Sequence, residues 1–388
     1  MNPRLLLLTF CQGLFLVNNV TFIAINGLVG LALAPSAWLA TMPVTGYVAG
    51  GALCAGMVGR HQRRFGRRRA FQAGLVVAML ASAACAWAAV TQHFWLLVAA
   101  TVAAGYYNAN AGLYRFAAAE LVEPGFKERA ISWVLAGGIL GAVAGPNLAS
   151  ATRDLLPVPF AGAYAALVGV ALLALVTISF IEFPPLPQPS AARPGRPLAE
   201  LARQPVFIVA VASCSLGYGV MNLLMAVTPI AMAQCHHPFS SAALVLEWHV
   251  LGMFVPSFFT GSLIRRFGCL PVMAVGVLLN AACIVVALSG VELMQFLAAL
   301  FTLGVGWNFL FVGGTTLFTE AYRPEERTTA QAGMDTVVFT TMTVTSFSSG
   351  ALITTSGWTL LNIGSIVPVA AAGAALAWLA WRRRPVAA

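Results

Sequence analysis

Met221 and Met225, then His249 and Met253, form two pairs at spacing four in neighbouring apolar segments. That spacing puts each pair on one face of a helix, one turn apart. Three thioethers and an imidazole are soft donors, and such a set suits Cu(I) above the other biological metals. Zn(II) calls for four ligands including thiolate or several imidazoles, and hard cations need oxygen. Met232 follows Met225 by seven residues on a similar face, and Cys235, His236 and His237 come next, so soft donors descend in depth as a metal-uptake path would need. The same residues have a plainer reading. Methionine commonly fills membrane helices, and a lone intramembrane histidine can simply bond a neighbour. Chemistry alone leaves both open.

The elements that position these side chains are membrane spans. Of the 388 residues 60% are hydrophobic and 9% charged, with mean hydropathy +0.86. A soluble domain carries about 25% charged residues. Apolar segments of about 20 residues, each enough to cross a bilayer, fall at 5–29, 36–58, 70–90, 94–119, 130–151, 159–183, 206–233, 240–263, 270–290, 294–318, 330–354 and 359–381. The expected fold class is an all-α membrane protein with twelve transmembrane helices. The net charge of +9 then reads as topology. Every one of the 21 lysines and arginines except Arg115 and Arg153 falls on one side of such an arrangement. The positive-inside rule puts that side, with both termini, in the cytoplasm of a bacterial cell. The expected partner is the lipid bilayer, with no nucleic acid. The first span is too long for a signal-peptide core and is read as retained. Seven cysteines stand singly, so no disulfide framework is implied. No phosphate-binding loop or nucleophile triad is present, which points away from an enzyme and from a resident cofactor.

The chain repeats itself. Gly59, Arg63, Arg64 and Gly66 recur as Gly261, Arg265, Arg266 and Gly268, while Asn108, Glu120 and Pro124 recur as Asn308, Glu320 and Pro324. More weakly, Gly13 and Asn18 match Gly217 and Asn222. Two six-helix bundles are expected, 1–183 and 206–388, joined by a proline-rich cytoplasmic linker at 184–205. The run from Gly59 through Arg67 and Arg68 resembles the signature loop of the major facilitator superfamily, departing from it at Arg63, where many members carry aspartate. That resemblance implies a gating loop in each half and two bundles that rock about a central site, and a monomer is expected. Gly137, Gly138, Gly141, Gly145 and Pro146 resemble a glycine-rich exporter motif, but small residues that let two helices approach closely explain them as well.

Depth and polarity narrow the site. Met225 and His249 both lie about 12 Å below the outer ends of their helices, and Met221 and Met253 roughly 18–20 Å below. Sequence depth therefore suggests two rungs near the midplane. Glu247 sits about 200° round the helix from His249 and is a candidate for proton coupling. Asp335 is a second candidate, with Arg115 as a possible partner in the other half. Glu120 and Glu320 read as latch residues, and Asn18, Asn19, Asn108, Asn110, Asn222 and Asn308 as a polar passage. With its Met and His pairs 28 residues apart, the set Met221, Met225, His249 and Met253 resembles the signature of the CcoA-type copper importers. The resemblance implies Cu(I) as cargo, import by alternating access, supply to haem-copper oxidase assembly, and contact with other copper-handling proteins. The alternative is a transporter of an organic solute such as riboflavin or a drug, using Trp248, Tyr218, Tyr107 and the asparagines.

Overall fold

A computed structural model of the chain describes residues 2–123, 126–184 and 195–383. Pro124, Arg193 and most of the linker prolines lie outside the described residues. All regular structure among the described residues is helical. The first half holds α1 (Pro3–Leu33), α2 (Met42–Val90), α3 (Phe94–Ala111), α4 (Tyr114–Glu120), α5 (Lys127–Ala136), α6 (Gly138–Ala151) and α7 (Ala161–Ser179). After a single turn, α8 (Leu198–Leu201), come α9 (Pro205–Gln234), α10 (Phe239–Phe254), α11 (Ser257–Phe267) and α12 (Cys269–Leu288). The chain ends with α13 (Leu293–Phe318), α14 (Arg327–Thr355), α15 (Gly357–Gly364) and α16 (Ile366–Arg382).

Nine helical stretches among the described residues are long and apolar enough to cross a membrane, or ten with α10 and α11, which bend by 41° at their break. One stretch, 37–90, carries two expected spans, and α3 with α4 covers the fourth. Each of the twelve expected spans thus has a helical counterpart. Where the span pattern asks for a reversal inside 37–90, the backbone supplies it at one residue. Gly66 has φ +79° and ψ 165°, and its repeat Gly268 has φ +86° and ψ 165°. Only glycine adopts that region at low cost.

Packing divides the chain into two compact units. The first comprises 1–187 with 226–247 and 349–355; the second comprises 188–225, 248–348 and 356–388. The sequence division follows chain order, whereas packing follows contact, so the far ends of α9 and α14 and the start of α10 belong to the first unit. Within it, α1 lies against α6 and α7, and α2 against α3. The glycine stripe serves the α1–α6 approach: a Cβ at Gly137 would sit 2.2 Å from the Thr9 carbonyl oxygen, and one at Gly141 2.3 Å from the Leu16 Cβ. Close helix approach accounts for the motif. Glycine recurs at the contact with second-half segments, where the Gly350 N–H donates to Thr41 Oγ1 at 3.1 Å.

The basic ends carry matched ion pairs. Arg67 makes two bonds to Glu120, at 3.0 and 2.6 Å, and a third to Gln62. Glu320, the repeat of Glu120, instead takes Arg383 at 2.6 Å, because the position matching Arg67 is Cys269. Arg63, Arg64, Arg68, Arg265 and Arg266 are exposed or nearly so, and Arg64 and Arg266 lie over Phe65 and Phe267. In the second unit the described end of the linker is clamped: Arg196 donates from its side chain to both Glu326 oxygens at 2.7 and 2.8 Å, and Leu201 is fully buried in the core.

Candidate functional site

All four soft-donor residues lie in the second unit, and all are buried. Met221 is 2% exposed, Met225 5%, Met253 8% and His249 0%. The imidazole is oriented by α13: its Nδ1 lies 2.6 Å from the Leu300 carbonyl oxygen. A carbonyl only accepts, so Nδ1 carries the proton and Nε2 presents its lone pair. That Nε2 is buried without a hydrogen-bond partner. A backbone carbonyl holding one ring nitrogen while the other is left bare is the arrangement metal-ligating histidines use.

The tight fit of α10 on α13 makes this possible. A Cβ at Gly304 would stand 2.4 Å from the His249 carbonyl oxygen and 3.0 Å from Met253 N, so only glycine lets the two backbones meet there. One turn on, Asn308 donates to the Met253 carbonyl oxygen at 2.7 Å and to Ser257 Oγ at 2.6 Å, and accepts from Thr260 Oγ1 at 2.7 Å. The first of these bonds satisfies a carbonyl released where α10 breaks before α11, and the other two tie Asn308 to side chains of α11. Asn222 ties α9 to α14 through the Met342 carbonyl, and Asn110 bonds Gln62 and the Ala70 carbonyl. Several residues expected in a polar passage therefore fasten helices together. Asn18 keeps a buried Nδ2 with no partner, and Asn19 donates to Tyr47.

A second feature of the same unit escaped sequence reasoning. Trp307 stacks on Phe311 with centroids 5.1 Å apart and planes 10° from parallel. Tyr218 meets both rings edge-on at 5.0 and 5.1 Å, and Phe254 meets Trp307 at 6.5 Å. Three helices, α9, α10 and α13, thus supply one aromatic group. Trp307 is 4% exposed, and its Nε1 is buried with no partner. A buried indole N–H normally finds an acceptor. The only sequence signal was two aromatics four apart flanking Asn308. Of the other rings expected to contact an organic solute, Trp248 is 43% exposed, and Tyr107 is buried edge-on to Phe15.

The remaining candidates scatter. Met232 is buried in the first unit, Cys235 is half-buried, His236 is exposed, and His237 borders a cavity. No group of three or more His, Cys, Asp or Glu side chains able to hold a metal occurs among the described residues. Glu247 accepts from Asn147 Nδ2 at 2.9 Å, while Asp335 lies on an exposed part of α14 and Arg115 is exposed over Phe116.

Apolar helices of membrane-spanning length, with one glycine turn repeated at Gly66 and Gly268, define a multi-span membrane protein of transporter type. The chain matches the Major Facilitator Superfamily over residues 5–247 and again over 209–388. It belongs to that superfamily, and it is a transporter, not an enzyme. It is 38% identical over 362 residues to the riboflavin transporter RfnT of Brucella anthropi, covering 92% of this chain and 91% of that protein. An uncharacterized transporter of the same type, YddS of Bacillus subtilis, is 28% identical over 89% of this chain and 83% of its own. Among solved structures, a D-xylose–proton symporter superposes with TM-score 0.76 at 15% identity, over 99% of this chain and 98% of that one. A bacterial homologue of the lysosomal transporter Spinster gives 0.75 at 16%, over 98% and 96%. These relationships carry the family and the fold. They lend no support to the copper branch expected from the Met and His pairs, and the named relative favours the organic-solute alternative.

Proposed function

We propose that this protein is a secondary transporter of a small planar organic solute of the flavin class, in a bacterial cytoplasmic membrane with both termini in the cytoplasm. The observation that carries this reading is its relation to a riboflavin transporter along nearly the whole of both chains. The aromatic group of Tyr218, Phe254, Trp307 and Phe311 is its candidate binding surface. Ring stacking binds planar heterocycles, and the bare Trp307 N–H is a donor for a ring carbonyl. The sorting of basic residues supports the orientation, and Glu247 is the carboxylate best placed to couple protons.

One observation favours a second reading, in which the cargo is Cu(I) destined for haem-copper oxidase assembly. His249 offers a buried lone pair in its ligating tautomer, in a unit that also buries three thioethers. Parallel uptake of radiolabelled riboflavin and copper into vesicles separates the two. The flavin reading expects riboflavin uptake that Trp307→Leu weakens about 2- to 13-fold, as loss of roughly 0.5–1.5 kcal/mol of ring contact requires, and that Met225→Leu spares. Copper uptake abolished by His249→Ala, with no riboflavin uptake by the wild type, would replace it with the copper reading.

A further inference from the structure

A cavity of about 210 Å³ lies in the first unit at the end opposite the arginine-rich turns. Leu28, Arg153 and Phe160 of the first half form one wall, and Pro229, His237 and Phe239 of the second half form the other. Two of the three non-glycine residues with positive φ among those described, Phe160 at +66° and His236 at +62°, stand in the two loops that border it. Each loop is closed by a backbone bond beside that residue: Phe160 N–H to the Arg153 carbonyl oxygen at 2.7 Å, and His237 N–H to that of Met232 at 2.9 Å. Left-handed backbone at bulky residues costs energy and concentrates at binding sites.

The lining defines a ligand. Phe160 and Phe239 meet edge-on at 4.8 Å and offer an aromatic wall. The Arg153 guanidinium sits 5.5 Å from the Phe160 ring centre, and its Nε is shielded from solvent without a hydrogen-bond partner. The nearest carboxylate, exposed Asp154, is 3.6 Å away, too far for a hydrogen bond. An arginine N–H beside an aromatic wall selects a carboxylate attached to a ring. The volume is below the roughly 300 Å³ at which pockets begin to take drug-sized ligands, so a single ring fits and a three-ring flavin does not.

We propose that this cavity is a regulatory site for a single-ring aromatic carboxylate. Its walls come from opposite halves of the chain, which separate at this end when a transporter of this superfamily opens there. A ligand touching both walls binds the closed arrangement, and by linkage it lowers the population of the open one.

Benzoate, with acetate and cyclohexanecarboxylate for comparison, is titrated into the full chain in nanodiscs of zwitterionic lipid, reading thermal stability and heat of binding. Saturable binding of benzoate, tighter than either comparator and weakened about tenfold or more by Arg153→Gln, is the expected result. Uptake of whichever cargo the vesicles accumulate is expected to slow with external benzoate in the wild type and not in the variant. Leu28→Trp, which fills the cavity, gives the same loss of binding if Arg153→Gln does not fold. Equal affinity in wild type and variant, acetate as effective as benzoate, or binding without slowed uptake overturns the proposal.

Discussion

Gly304→Ala tests the contact that orients His249. The added methyl would stand 2.4 Å from the His249 carbonyl oxygen, whereas ordinary contact begins at about 3.4 Å, so α10 must retreat from α13 by about 1 Å. The Nδ1–Leu300 bond, now 2.6 Å, would stretch to about 3.6 Å and be lost. Overpacking of this kind costs about 1–3 kcal/mol, and the buried hydrogen bond adds about 1 kcal/mol. Alanine's better helix propensity returns about 1 kcal/mol. The expected net loss is about 1–3 kcal/mol, several degrees in a detergent melt. Gly169→Ala is the control, because nothing lies within 4 Å of a Cβ there; it should melt at or above the wild type. If Gly304→Ala melts with the control, α10 and α13 separate freely, and the account of how the imidazole is held is wrong.

Three further outcomes are expected. Cysteines at Thr41 and Gly350 would place their Cβ atoms about 3 Å apart, near the 3.5–4.5 Å a disulfide needs. Oxidation should stop transport and reductant restore it if this contact opens during transport; a cross-linked protein that transports at the wild-type rate would show that it stays closed throughout. Glu120→Gln removes the charge from a bidentate pair whose side chains are only 10% and 23% exposed and should lower stability by about 1–3 kcal/mol in a denaturation series, with Arg383→Gln acting on the second half's pair. The Glu326 carboxyl is held well below the usual carboxylate range, first by its bonds from Arg196 and then by the Arg323 N–H. A depressed carboxylate stabilises above its unfolded pKa of about 4.3 and loses that contribution only as pH falls through the lower folded value. Proteolysis of the linker near Arg196 should therefore stay slow at pH 5, and rapid cleavage there would contradict the clamp.

What was legible in the sequence follows periodicity and repetition. Twelve apolar segments became helices because a bilayer asks only for length and hydropathy. The repeat at Gly66 and Gly268 corresponds to matching backbone angles, since the same local reversal demands the same residue. Legibility ends where contacts join distant helices. Depth matched the histidine to the methionines of α9, yet the bond that fixes its ring comes from Leu300 on α13, which no spacing encodes. The aromatic group draws on residues 218, 254, 307 and 311 of three helices, and nothing in the run of any one helix shows that those rings meet. The cargo was the least legible of all. Soft donors suggested copper, and a relationship over 92% of the chain favours the organic-solute alternative.

The twin reversals also bear on how such a chain can drift. Nothing lies within 4 Å of a Cβ built at Gly66, and only a proline ring carbon at 3.8 Å near one at Gly268. There is room for a side chain at both; the backbone angle alone forbids it. Apart from Arg67, which Glu120 holds, the arginines around them face solvent and can be exchanged for one another, or moved, at little cost. Charge in these turns should therefore wander over generations while the two glycines stay fixed. Relatives too diverged to show the basic pattern should still betray their duplicated origin by one unreplaceable residue in each half.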